Sequence, residues 1–290
     1  MNVQIVEGHG APLSSISRAD KLALLREHGG VVFTGFEVDS AAFRHTADEL
    51  GRSFYNMSLD PRVRQLVTAD GVVAGVLKGS AALPLHMERG YSPLRPELVM
   101  FHVVTPSTVG GESLMCHGAR VLAALSPATR DRLRASRLLY RHTWEPEAWQ
   151  GRYGTTPDEV ARLFERTPGI VGFRFDGELL HYDYVISAIV RSRLGGDEGF
   201  VNNLEGMWDV QNAPRALLRA VHAHSVQFED GEPISQDLID EVHAAVVSST
   251  ETHQTRACDV IVLDNYRVMH GRRAFEGERV MHTIMADANA

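Results

Sequence analysis

From about residue 83 onward the chain is a succession of short apolar runs punctuated by turn residues, and this pattern constrains the fold more than any other feature. Strand-like runs occupy 98–104, 113–116, 137–144, 169–175, 179–186, 199–204, 258–264 and 278–286. Each is too short for a helix to bury a full apolar stripe, and Gly or Pro separates most of them. Many short strands of this kind indicate a sandwich, a barrel or a double-sheet jelly roll. Before them the chain reads helix, strand, helix. Ser17 is an N-cap with Gly29-Gly30 as the stop, Val31-Val32-Phe33 is a short strand, and Asp39 caps a second amphipathic helix closed by Gly51. Three further helix starts are written into Ser126-Pro127, Thr156-Pro157 and Ser235.

No linker, repeat or block of like charge divides the 290 residues, so the expectation is one domain over 1–290. Its N-terminal elements, about 1–52, should pack on a β-rich core of about 83–290. The formal charge of −8 argues against binding nucleic acid through its phosphates. No apolar run approaches the roughly 20 residues that a membrane-spanning helix needs. The opening Met1-Asn2-Val3-Gln4 has no basic stretch before an apolar core, and the two cysteines, Cys116 and Cys258, form no CxxC. A cytoplasmic protein with reduced thiols and a small-molecule substrate is therefore expected, and a homo-oligomer is compatible with it.

Fourteen histidines make any single one uninformative. A histidine and a carboxylate two apart on a strand are more telling, because side chains i and i+2 share a face and can reach one ion. Two such pairs exist, His86-Met87-Glu88 and His181-Tyr182-Asp183. With a distant third ligand, either would make the 2-His-1-carboxylate face that suits non-haem Fe(II). His270, after the apolar run 260–263 and before Gly271, could complete either, and spacing alone does not choose. Context favours His86, which follows Leu83-Pro84-Leu85 and precedes Arg89-Gly90-Tyr91 at a strand end, whereas His181 lies inside an unbroken strand. Arg279 follows on the next strand, where a guanidinium could hold a carboxylate bidentately.

Several stretches taken together resemble the taurine dioxygenase-like oxygenases. They are Leu85 to Tyr91, Pro96 through Pro106, Gly110-Gly111-Glu112-Ser113, Cys258-Asp259 with Val260 to His270-Gly271-Arg272, and Phe275-Glu276-Gly277-Glu278-Arg279. Gly30 to Phe36, Val201-Asn202-Asn203 and Asp230 to Ile234 fit as well, so the resemblance covers about residues 28–286. The Glu in His-x-Glu, where most members have Asp, looks like the clavaminate synthase and syringomycin aspartate-hydroxylase type.

The resemblance implies a double-stranded β-helix (a cupin-like jelly roll) with flanking helices, a β-rich α+β fold. It implies Fe(II) on His86, Glu88 and His270, and 2-oxoglutarate held by Arg279 with Ser113 assisting. With O2 as oxidant, these would serve hydroxylation of an amino acid or natural-product intermediate, free or carrier-tethered, with release of succinate and CO2. Desaturation, epoxidation and cyclisation share the same cofactors, and a non-catalytic cupin-like binding protein is the contrasting class. Substrate selection is expected from loops at 52–85, 145–168 and 187–212, with Arg191, Arg193 and Trp208 as candidates. The chain departs from the family at Thr283, where a second arginine is found in taurine dioxygenase, and at His117, where Asp is usual.

Overall fold

A computed structural model describes residues 2–57, 65–212 and 224–289. The helix starts sit where the sequence places them. Ser17, Asp39, Ser126, Thr156 and Ser235 each accept a hydrogen bond from a backbone N–H of the first turn. Thr156 forms a full capping box with Glu159. The first helix, Arg18–His28, ends at Gly29 with φ 71°, a left-handed conformation that glycine adopts without a steric cost.

The strands build two facing sheets. The larger runs Gln4–Glu7, Gly30–Thr34, Val260–Asp264, Leu98–Thr105, Val280–Ala288 and Gly51–Phe54 in that spatial order. The smaller runs Thr250–His253, Ser113–His117, Val268–Arg272 and Leu83–His86. The turn between Val260–Asp264 and Val268–Arg272 carries the chain from one sheet to the other. Val32, Ile261 and Leu263 of the larger sheet meet Met115 and Val268 of the smaller one in a shared apolar layer. This is the jelly roll. The helices Arg18–His28 and Ser40–Leu50 cover the other face of the larger sheet, where Leu22, Leu25, Phe43 and Leu50 pack on Val31, Met100, Val262 and Ile284. The N-terminal segment does more than pack outside, however. Its strand Gly30–Thr34 is hydrogen-bonded into the larger sheet beside Val260–Asp264.

A third sheet runs Ile170–Asp176, Leu179–Ile186, Leu138–Trp144 and His224–Phe228. The expected strand 199–204 is corrected. The strand is Gly195–Phe200, and Leu204–Asn212 is helical. Asn202 causes the switch, since its Oδ1 accepts from Leu204 N–H (2.8 Å) and its Nδ2 donates to Ala188 O (3.0 Å). The helix Gly118–Ala124 also went unread in the sequence. His117, the family departure, is its N-cap, with Nδ1 accepting from Ala119 N–H at 3.3 Å. No helix among the described residues is long and apolar enough to cross a membrane.

Candidate metal centre

The edge strand Leu83–His86 pairs antiparallel with Val268–Arg272 so that His86 stands directly opposite His270. Side chains at such positions are nearest neighbours, and the two imidazole centroids lie 4.5 Å apart. Glu88 comes from the turn just beyond the strand. Its Oε2 is 3.9 Å from His86 Nε2 and 3.7 Å from His270 Nε2. These separations are too long for hydrogen bonds, and one ligand atom from each residue falls within 4.8 Å of the other two. Among the described residues this is the one convergent group of three His, Cys, Asp or Glu side chains.

Local bonds fix the two ends of this arrangement. His86 Nδ1 donates to Pro84 O at 2.8 Å, which leaves the lone pair on Nε2. Glu88 is held through its backbone. Asn265, fully buried, accepts from Glu88 N–H (2.9 Å) and donates to Glu88 O (3.0 Å) and Pro96 O (2.9 Å). Asn265 thus ties the sheet-crossing turn to the carboxylate's own turn. The sequence shows it near His270 and gives no sign of this reach across 177 positions.

The centre lines one wall of a cavity of about 550 Å³. Arg279 and Ser113 line it too, along with Phe101, Leu114, Met115 and Met281. Arg279 precedes the strand Val280–Ala288, and its buried Nε has no hydrogen-bond partner. Burial, with Arg272 nearby, pushes its guanidinium down to about 10. Arg272 itself is spent on structure, donating to the carbonyls of Ala81, Leu77 and Gly79. A buried cation with an unmet donor fits an incoming carboxylate, and two imidazoles with one carboxylate fit a divalent first-row metal.

Other candidates fall elsewhere. His181 and Asp183 face the neighbouring strand, where His181 Nδ1 meets Thr143 Oγ1 at 3.0 Å and Asp183 lies 3.6 Å from Arg141. None of Arg191, Arg193 and Trp208, the expected substrate contacts, lines the cavity. Arg193 is locked onto Glu97 by two charge-assisted bonds, Arg191 reaches Gly196 O at 3.4 Å on the surface, and Trp208 packs on the apolar core. Thr283 is fully buried within the larger sheet. The three expected selectivity loops do supply lining residues, among them Leu77, Ala148, Arg152, Asn203 and Met207, although 58–64 of the first loop lie outside the described residues. Arg89, Tyr91 and His224 also line the cavity, and sequence reasoning had assigned none of them a role.

The family model of the taurine catabolism dioxygenase TauD, TfdA family matches residues 6–285. The chain belongs to that family. It is an Fe(II)- and 2-oxoglutarate-dependent oxygenase. The dapdiamide synthesis protein DdaC of Enterobacter agglomerans is 23% identical over 278 residues, covering 91% of this chain and 84% of that protein. Among solved structures, a taurine dioxygenase from Burkholderia xenovorans is similar with a TM-score of 0.62 at 13% identity, covering 100% of this chain and 87% of that one. An asparagine oxygenase solved with Fe(II), 3-hydroxyasparagine and succinate has a TM-score of 0.57 at 18% identity, covering 93% and 78%. At these identities the structural likeness speaks for the fold.

Proposed function

We propose that His86, Glu88 and His270 hold the Fe(II), that Arg279 with Ser113 holds the distal carboxylate of 2-oxoglutarate, and that the enzyme hydroxylates a C–H bond of an amino acid or amino-acid-derived intermediate. The observation that carries this reading is the meeting of three donors from two strands and a turn beside an arginine with an unmet buried donor. Iron bound there supplies the O2 chemistry that side chains cannot. The protein binds, orients and excludes water. Arg279 fixes the keto acid by its far end, so that its keto end is directed toward the imidazoles. Phe101, Met115, Ile261 and Met281 keep that wall apolar. The overall change balances as R–H + O2 + 2-oxoglutarate giving R–OH, succinate and CO2.

The substrate class is supported by the names of two relatives, one a dapdiamide synthesis protein and one an oxygenase of asparagine. Two free thiols, Cys116 and Cys258, accord with a cytoplasmic setting. The test is anaerobic loading with Fe(II) and 2-oxoglutarate, followed by O2 and a panel of amino acids, with succinate and hydroxylated product quantified. Substrate-dependent succinate formation that disappears in His270→Ala is the expected result. Tight 2-oxoglutarate binding with no turnover of any amino acid or carrier-bound aminoacyl group would refute the substrate class.

A further inference from the structure

Two more arginines line the cavity, away from Arg279. Arg89 follows Glu88 directly, and Arg152 comes from the Gly151–Gly154 turn. Neither has a carboxylate within ion-pairing reach among the described residues. Arg152 lies over the Trp144 ring at 4.6 Å, with its buried Nε unpartnered. Arg89 lies over the Tyr55 ring at 5.6 Å. Both guanidinium groups sit in the field of the same two phenols, Tyr91 and Tyr153, and they repel each other. Glu88, the adjacent residue, attracts Arg89, but neither guanidinium is held in an ion pair among the described residues, and a ligand carboxylate would supply that partner to both.

A tight turn places Arg89. Arg89 holds φ 55°, a left-handed conformation uncommon for a residue with a side chain. The turn is closed by Gly90 N–H donating to Met87 O (3.1 Å) and Ser92 N–H donating to Arg89 O (2.9 Å). A Cβ at Gly90 would lie 2.1 Å from Asn203 Oδ1 and 2.9 Å from Met87 Cβ. That amide oxygen lines the same cavity, is buried and has no partner. The Arg89 guanidinium, an unmet donor of Arg152 and an unmet acceptor thus line one cavity. Together they match the two charges of a zwitterion.

We infer that the substrate is a free amino acid, its α-carboxylate gripped between Arg89 and Arg152 and its α-ammonium turned toward Asn203 Oδ1. This rests on the amino-acid reading above and sharpens it, because an aminoacyl thioester on a carrier has no α-carboxylate to offer.

The test uses the full chain loaded with Mn(II) and N-oxalylglycine, titrated calorimetrically with the free L-amino acids and their carboxamides. At least one free acid should bind at least tenfold more tightly than its carboxamide. Arg152→Met and Arg89→Met should each weaken that acid by about 10–100-fold, and Arg152→Lys should restore part of the loss. N-oxalylglycine affinity should stay within about twofold in all three variants, which also shows that they fold. Equal affinity for acid and carboxamide, binding by no free acid, or unchanged binding in both methionine variants would each overturn the inference. Loss of N-oxalylglycine binding by the wild-type protein would instead overturn the proposed function.

Discussion

The chain contains two His-x-carboxylate pairs, and their different fates show what makes such a pair a site. His181 and Asp183 lie mid-strand, each opposite a residue able to engage it, Thr143 and Arg141. His86 is the last residue of its strand and Glu88 lies in the turn beyond the end of the ladder. The decisive addition is His270, brought opposite His86 by sheet register. Spacing makes a metal pair possible in both places. Among the described residues, a third donor from another strand joins the pair in one of them.

The largest expected effect tests this contrast directly. His86→Ala and His270→Ala should each lower Fe(II) affinity by more than about 100-fold, whereas His181→Ala should change it less than about twofold, measured by competition with a chelator. Iron loss in the His181 variant alone would reverse the assignment.

A histidine engaged only locally gives the next effect. His117 is buried, and burial pulls its imidazole down to about 4. With a folded value below the unfolded 6.5, its contribution to stability is complete above pH 6.5 and is lost as pH falls toward 4. The loss amounts to roughly 3 kcal/mol at about 1.4 kcal/mol per pH unit. His117→Asn keeps a cap on Gly118–Ala124, so urea midpoints of the metal-free variant should fall less steeply over that range. Parallel curves for variant and wild type would contradict the burial argument.

Arg279→Met should raise the KM for 2-oxoglutarate about 10–100-fold, the value of a charge-assisted bidentate contact. Arg193→Met, which breaks only a surface pair with Glu97, should leave it unchanged. Asn265→Ala gives the smallest effect. Fe(II) affinity should drop about tenfold without removal of any ligand, as for other residues that orient a metal's ligands. An unaltered affinity would mean that the Glu88 turn holds its shape unaided.

How much of this could be read beforehand follows from the range of the interactions. The five N-caps were legible because a cap bonds to the next turn. The strands were legible because short apolar runs between turn residues have few other uses. The switch at Asn202 is hidden because Phe200, Val201 and Leu204 let 199–204 read equally as strand, and only the side-chain bonds of Asn202 to Leu204 and Ala188 decide otherwise. His86 could not be preferred over His181 on spacing, since the cross-strand register with His270 is a property of the folded sheet. Arg191 and Arg193 drew attention as cations in a loop, yet one is neutralised by Glu97 and the other stays on the surface. Arg89 stood in plain view beside Glu88. Arg152 carried no signal beyond its flanking glycines.

The double clasp of Asn265 on the Glu88 backbone has one more consequence. The site's shape is secured by amide bonds and strand pairing that exist whether or not a cation is present, so binding energy need not be diverted into ordering the chain. Stripping the ion with a chelator should leave the melting curve cooperative, displaced only by the mass-action shift expected of any ligand. Recapture should then proceed at a rate set by encounter and dehydration of the ion, with no slow refolding phase.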